Sequence, residues 1–176
     1  MLAAIIVVAI VLLAVLAFAA SRPDTFRIER STHIAAQPEQ VFGLINDFHQ
    51  WERWSPWAKV DPAMTATYSG AASGPGAAYD WSGNSKVGTG RMEIIASSAS
   101  SGIVIKLDFL KPFEGHNTSE FTLRPDGAGT TVKWAMYGPQ AFIPKLMGLV
   151  FSMEKMVGPQ FVQGLATLKA LAERQA

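Results

Sequence analysis

Apolar residues follow three different rhythms along this chain. Met1–Ala20 contains only Met, Leu, Ala, Ile, Val and Phe, so the segment has no polar face at all. From Thr25 the pattern alternates: Phe26, Ile28 and Ile34 share one parity, and Arg27, Glu29 and His33 the other, which predicts a strand over 25–34. Pro38 then sits where a helix can begin, and Val41, Phe42, Leu44 and Ile45 follow at helical spacing up to Asn46-Asp47. Trp51 and Trp54 fall on one face of a second short helix that Pro56 stops.

Beyond Met64 alternation dominates again. Ala66 pairs in parity with Tyr68, and Tyr79 with Trp81, and Ser82-Gly83-Asn84 reads as a hairpin turn. Over 87–99, Met92, Ile94 and Ala96 oppose Arg91 and Glu93. Ile103, Ile105, Leu107 and Phe109 oppose Lys106 and Asp108, and Asn117, Ser119, Phe121 and Leu123 oppose Thr118, Glu120 and Thr122. Asp126-Gly127 is a hairpin signal, after which Val132, Trp134 and Met136 oppose Thr131 and Lys133. One apolar and one polar face per strand is the mark of an antiparallel sheet covered on one side.

The cover is expected from the C-terminus, where Pro144 can open a helix and Pro159 should break or kink it near Gly158. In its second half, Phe161, Leu165, Leu168 and Ala172 form one stripe, with Gln160, Gln163, Thr167 and Arg174 elsewhere. Residues 145–157 carry Leu146, Met147, Leu149, Val150, Phe151, Met153, Met156 and Val157 nearly all round the helix. That suits a helix buried on several sides, or a Met-rich lid over a cavity that also touches a membrane surface.

An apolar helix of about 20 residues, rising about 1.5 Å each, spans a hydrocarbon core of roughly 30 Å. Residues 1–21 are accordingly expected to be a membrane anchor. The alternative is a secretory signal ending near Ala17-Phe18-Ala19, but no Lys or Arg precedes the apolar stretch. Arg22, Arg27 and Arg30 just after it place the following domain on the cytoplasmic side by the positive-inside rule. Residues 22–176 then form one domain, long enough to bury a core and free of linker-like tracts. Basic and acidic residues number 15 and 14 with no basic run, so nucleic acid is not an expected partner. With no cysteine, disulfides and thiolate chemistry are excluded.

This domain resembles the START-like superfamily, also called SRPBCC or Bet v 1-like, in its polyketide cyclase/dehydrase-type branch. The resemblance rests on Ala36-Gln37-Pro38-Glu39-Gln40-Val41-Phe42, Asn46-Asp47-Phe48 and the run Trp51 to Trp57. It continues in Gly88-Thr89-Gly90-Arg91-Met92, Leu107-Asp108-Phe109-Leu110-Lys111-Pro112-Phe113, and Gly164-Leu165 through Leu168-Lys169. It implies an α+β helix-grip fold: a curled antiparallel sheet around a long C-terminal helix, with two short helices after the first strand and an apolar cavity between sheet and helix. Relatives bind lipids, sterols, quinones or polyketides, and a minority catalyse cyclisation or dehydration, so the fold leaves the function open.

The expected role is membrane-tethered binding of an apolar small molecule, with a cyclase/dehydrase-type enzyme and a scaffold with a filled core as alternatives. Candidate cavity-lining residues are Tyr79, Trp81, Met92, Leu107, Phe109, Phe121, Trp134 and Met136 on the strands, with Met147 and Phe151 on the helix. Large aromatics and Met make an adaptable wall as readily as they fill a core. Asn117 and Ser119 are polar residues on the inward parity, to be partnered by a ligand, a backbone group or water. Asn117-Thr118-Ser119 also matches a glycosylation sequon, but it lies within a predicted strand.

Catalytic candidates are few. Glu114 and His116, two apart beside Pro112, are the best acid–base pair, although turn residues usually face water. His33, His49 and His116 show no metal-ligand spacing, so no metal and no cofactor are expected. Gly88-Thr89-Gly90 lacks the third glycine of a dinucleotide loop and leads into a strand. The Trp51/Trp54/Trp57 cluster is expected to seal the short helices onto the sheet, with a lipid-headgroup position as the alternative for Trp57.

Overall fold

The first element, α1 (Leu2–Ala20), is solvent-exposed along nearly its whole length and is long and apolar enough to cross a membrane. The computed structural model describes residues 1–140, 142–149 and 152–176. After α1 come β1 (Thr25–Ile34), α2 (Pro38–Asn46), a 3₁₀ turn (Phe48–Arg53) and α3 (Trp57–Val60). The strands β2 (Thr65–Gly70), β3 (Ala77–Ser82), β4 (Thr89–Ser98), β5 (Gly102–Lys111), β6 (Gly115–Asp126) and β7 (Gly129–Pro139) follow. The chain ends with α4 (Phe142–Met147) and α5 (Met153–Glu173).

The strands form one seven-stranded antiparallel sheet in the order β1-β7-β6-β5-β4-β3-β2. Thr25 pairs with Pro139, Phe109 with Gly115, and Ser82 with Thr89, so these positions mark one end of the sheet, next to the exit of α1. Ile34 pairs with Thr130 and Gly70 with Ala77 at the far end. There α5 finishes: the Ala35 N–H donates to Glu173 Oε1 at 2.8 Å, and Lys169 Nζ donates to the His33 carbonyl at 2.6 Å.

Local sequence accounts for the starts of the elements. Pro38 opens α2 behind a capping box in which Gln37 and Gln40 satisfy each other's backbone N–H groups. Val41, Leu44 and Ile45 turn inward, as do Phe161, Leu165, Leu168 and Ala172 of α5. Trp51 and Trp54 are 5 % and 1 % exposed, and their Nε1–H groups donate to the Ile45 and Leu44 carbonyls at 2.9 Å each, closing the turn over α2. Trp57 remains partly exposed at the start of α3.

Five sequence expectations are corrected. In β4, Ile94 pairs with Ile105 but Ala96 with Val104, so Ile95 forms a bulge. That extra residue reverses the parity, leaving Ala96 exposed instead of inward beside Met92 and Ile94. The β3–β4 connection is not a tight Ser82-Gly83-Asn84 turn but the segment 83–88, closed by the Gly83 N–H donating to the Gly88 carbonyl at 2.8 Å. Asp61 Oδ2 accepts from the Asn84 N–H at 2.7 Å and holds the wider loop.

The C-terminal helix does not run from Pro144. Ser152 starts α5 as N-cap, its Oγ accepting from the Lys155 N–H at 3.4 Å. The helix then continues past Pro159 without ending: Pro159 is its seventh residue and forfeits one backbone bond, which packing of α5 on β1 offsets. Finally, the start of α5 is not buried on several sides, since Met153 and Met156 are 43 % and 62 % exposed.

Candidate functional site

The inward side chains grade in burial from one end of the sheet to the other. At the far end Ile94, Ile103, Ile105, Leu123 and Val132 are at most 2 % exposed. Towards the α1 end Met92 and Leu107 reach 9 % and 8 %, and Phe26, Phe109, Asn117 and Val157 are only partly buried. The grip between sheet and α5 is therefore sealed at the far end and loosens towards α1.

The sealed half is plugged by rings. Trp134 stacks on Phe161 with centroids 3.9 Å apart and planes 8° from parallel, and on Phe121 at 5.0 Å. Trp51 and Trp54 close edge-on against both Trp134 and Phe121. Gly164 allows the α5 approach: a Cβ there would sit 2.9 Å from Trp134 Cζ3 and 3.0 Å from Pro56 Cδ. Ser119, 3 % exposed, accepts from the Trp134 Nε1–H at 2.9 Å, so its hydroxyl has a protein partner.

The looser half gathers the other candidates. Trp81 meets Phe109 edge-on at 5.7 Å and stacks on Tyr79 at 6.2 Å. Its indole fills the space left by Gly90, where any Cβ would overlap the ring. Met92 pairs with Tyr79 and Leu107 with Met92 across the sheet, while Met136 pairs with Ser119 and Asn117 with Leu107. Phe151 and the Met147 side chain lie outside the described residues.

Sequence reading missed two features of this half. Tyr68, opposite Tyr79 on β2, donates its hydroxyl to Glu52 at 3.1 Å and stacks on His49 at 4.2 Å. Burial, reinforced by the Glu52 carboxylate, pushes the Tyr68 phenol up, and burial also raises Tyr79, so both stay protonated donors. Gln160 Oε1, one helical turn before Gly164, is buried with no partner among the described residues. The shared parity of Tyr68 and Ala66 was a usable signal for the first; a lone Gln beside an apolar stripe gave none for the second.

The structure unites Glu114 and His116 with a third residue, Asp108. His116 Nδ1 lies 2.8 Å from Asp108 Oδ1, and Nε2 lies 3.4 Å from Glu114 Oε1. The Asp108 hydrogen bond holds the imidazole above its usual pKa. Burial alone would raise the Asp108 carboxyl, but Lys106 and His116 outweigh it and keep it below the usual range. Asp108 and His116 are cross-strand partners on the parity opposite Leu107 and Asn117, so the cluster lies on the outer face of the sheet. Among the described residues no group of three His, Asp or Glu side chains is placed to hold a metal.

Two surface hollows flank the α1 end. One, of about 170 Å³, lies between the start of β1 and the α4–α5 region, lined by Arg22, Phe26, Ile28, Lys145, Ser152 and Met153 among others. The second, of about 480 Å³, lies between the β3–β4 and β5–β6 connections, lined by residues including Asn84, Lys111 and Pro112. Phe26 alone of the inward aromatics lines the first; Tyr79, Trp81, Phe109, Phe121 and Trp134 line neither.

Against known proteins, the sequence model of the family described as polyketide cyclase/dehydrase and lipid transport matches residues 25–173. No curated protein matches the chain. Among solved structures, a Thermobifida fusca protein is 22% identical, with TM-score 0.62 over 84% of this chain and 93% of its own. A Chromobacterium violaceum protein is 18% identical, with TM-score 0.59 over 86% of this chain and 99% of its own. The di-domain ARO/CYC StfQ from the steffimycin biosynthetic pathway is 12% identical, with TM-score 0.61 over 86% of this chain and 51% of its own. At these identities the likeness to solved structures is one of fold.

Proposed function

The chain belongs to the polyketide cyclase/dehydrase and lipid transport family, and on that basis we propose that it is a membrane-tethered carrier of an apolar small molecule. The ligand is of lipid, quinone or polyketide-like character, α1 is the tether, and the domain stands on the cytoplasmic side. The observation that carries this reading is the burial gradient: walls that are closed around Val132 and Ile105 loosen around Leu107, Phe109 and Asn117. An apolar ligand entering there gains about 25 cal/mol per Å² of carbon buried, before the costs of association. The Gln160 acceptor, unpartnered among the described residues, and the protonated Tyr79 hydroxyl supply polar groups for its orientation. Met92 and Met136 give that half a wall able to repack around different shapes.

Catalysis by Glu114 and His116 is not part of the proposal, because their cluster faces away from the interior across the sheet. The filled-core scaffold has one supporting observation, the Trp51–Trp54–Phe121–Trp134–Phe161 plug.

Native mass spectrometry of the intact chain in mild detergent, followed by organic extraction, separates the two. A carrier retains a defined apolar compound at near-equimolar level, which a short-chain ubiquinone or fatty acid displaces. Phe109→Ala at the loose end should weaken that binding roughly tenfold, the equivalent of about 1.4 kcal/mol, in a domain that a thermal melt shows to be still folded. No retained compound and no binding of either probe would leave the scaffold.

A further inference from the structure

We propose that the α1 end of the domain is a bilayer-docking surface: an apolar rim there enters the interfacial layer of the membrane, and the loose end of the grip opens onto lipid. This rests on the tether reading above and specifies how the tethered domain is oriented.

Three elements distant in sequence expose large apolar side chains at this one end. The β5–β6 hairpin presents Leu110 and Phe113, 53 % and 66 % exposed; α4 presents Phe142 and Ile143, 41 % and 61 %; the start of α5 presents Met153 and Met156, 43 % and 62 %. Outside α1, only Ile95 and Val162 among the described residues are large apolar side chains exposed elsewhere. A water-facing end gains nothing from such a rim, whereas exposed apolar surface gathered at one end marks a contact with a partner or a membrane.

The partner is identified by what adjoins the rim. Residues 21–24 join α1 to β1 and reach at most about 14 Å even if fully extended. They are in fact drawn back, with Ser21 Oγ donating to the Phe18 carbonyl at 2.8 Å and the Arg22 guanidinium over the Phe18 ring. In addition α4 packs directly on α1. A bilayer that contains α1 therefore lies against the rim with no room for an intervening protein layer. Exposed Arg22, Lys86, Lys111 and Lys155 surround the rim, while the acidic residues there, Asp24, Glu154 and Glu114, are engaged by Lys145, Arg30 and His116. Cations with no carboxylate partner among the described residues suit anionic headgroups at that level.

The absence of native cysteine permits a direct test on the full chain. Single cysteines at Phe113, Ile143 and Met156, and far-end controls at Ala99 and Ala128, are labelled with an environment-sensitive NBD dye. The labelled chains are reconstituted in vesicles of phosphatidylcholine and phosphatidylglycerol, after a thermal melt confirms that each is folded. The expected result is blue-shifted rim emission quenched by brominated lipid, with control emission unchanged. A chain that floats with the vesicles while its rim labels stay in water would overturn the docking surface and leave the tether standing. A chain that fails to float would overturn both.

Discussion

Trp134 shows at the scale of one residue what the interior asks of its side chains. Its ring is held between Phe121 and Phe161, and its N–H is taken by Ser119. Trp134→Ala should destabilise the domain by about 3–5 kcal/mol in urea unfolding, and Gly164→Ala should also destabilise it, because the new Cβ meets both Trp134 and Pro56. Stability unchanged by both substitutions would refute the plug. The alternation of β6 indicated correctly that Ser119 faces inward, but its partner sits on β7, and cross-strand register is not written in either strand. The same limit hid Asp108 from the Glu114–His116 pair. This outer cluster has a pH signature. His116, raised when folded, stabilises the native state fully below its unfolded pKa near 6.5, and that contribution is lost as pH rises through the folded value. Asp108, lowered when folded, contributes above about 3.8 and loses that contribution as pH falls through its folded value. In an NMR titration, Asp108→Asn should bring the His116 midpoint back down; an unmoved midpoint would remove Asp108 as the cause.

Elements were legible to the extent that one local signal sufficed. The bounds of β1 and the Pro38 start of α2 follow from alternation and a single proline. The bulge at Ile95 was not legible, because Ile94-Ile95 reads equally well in either parity and only pairing with β5 decides between them. The α4–α5 break was partly legible: Ser152 followed by Glu154 is a helix-start pattern that the surrounding apolar run obscures. For α1, length and composition fit both an anchor and a cleaved signal, and a mid-helix charge distinguishes the consequences. Val11→Arg should cost about 2.5–3.5 kcal/mol of insertion and shift the chain out of the floated membrane fraction. Recovery of a mature chain that begins near Ser21 would instead establish the signal.

At the scale of the molecule, the sequence indicated one domain of sheet plus helix but not that its two ends differ. That difference depends on which turn of α5 lies over which rung of the sheet, and on where three separate elements leave their apolar side chains. The strand order carries a consequence for how the molecule is made. From β2 to β7 every pairing joins consecutive strands, so each can zip onto its predecessor as synthesis proceeds. The exception is β1, which pairs with β7 across about a hundred residues and so must wait for the last strand to be translated. Were α1 the bilayer anchor proposed above, β1 would spend that wait pinned at the lipid surface. Its search for β7 would then have one end fixed, which lowers the entropy of closure, and the final zipping step would bring the finished sheet to the membrane, not the membrane segment to a finished domain.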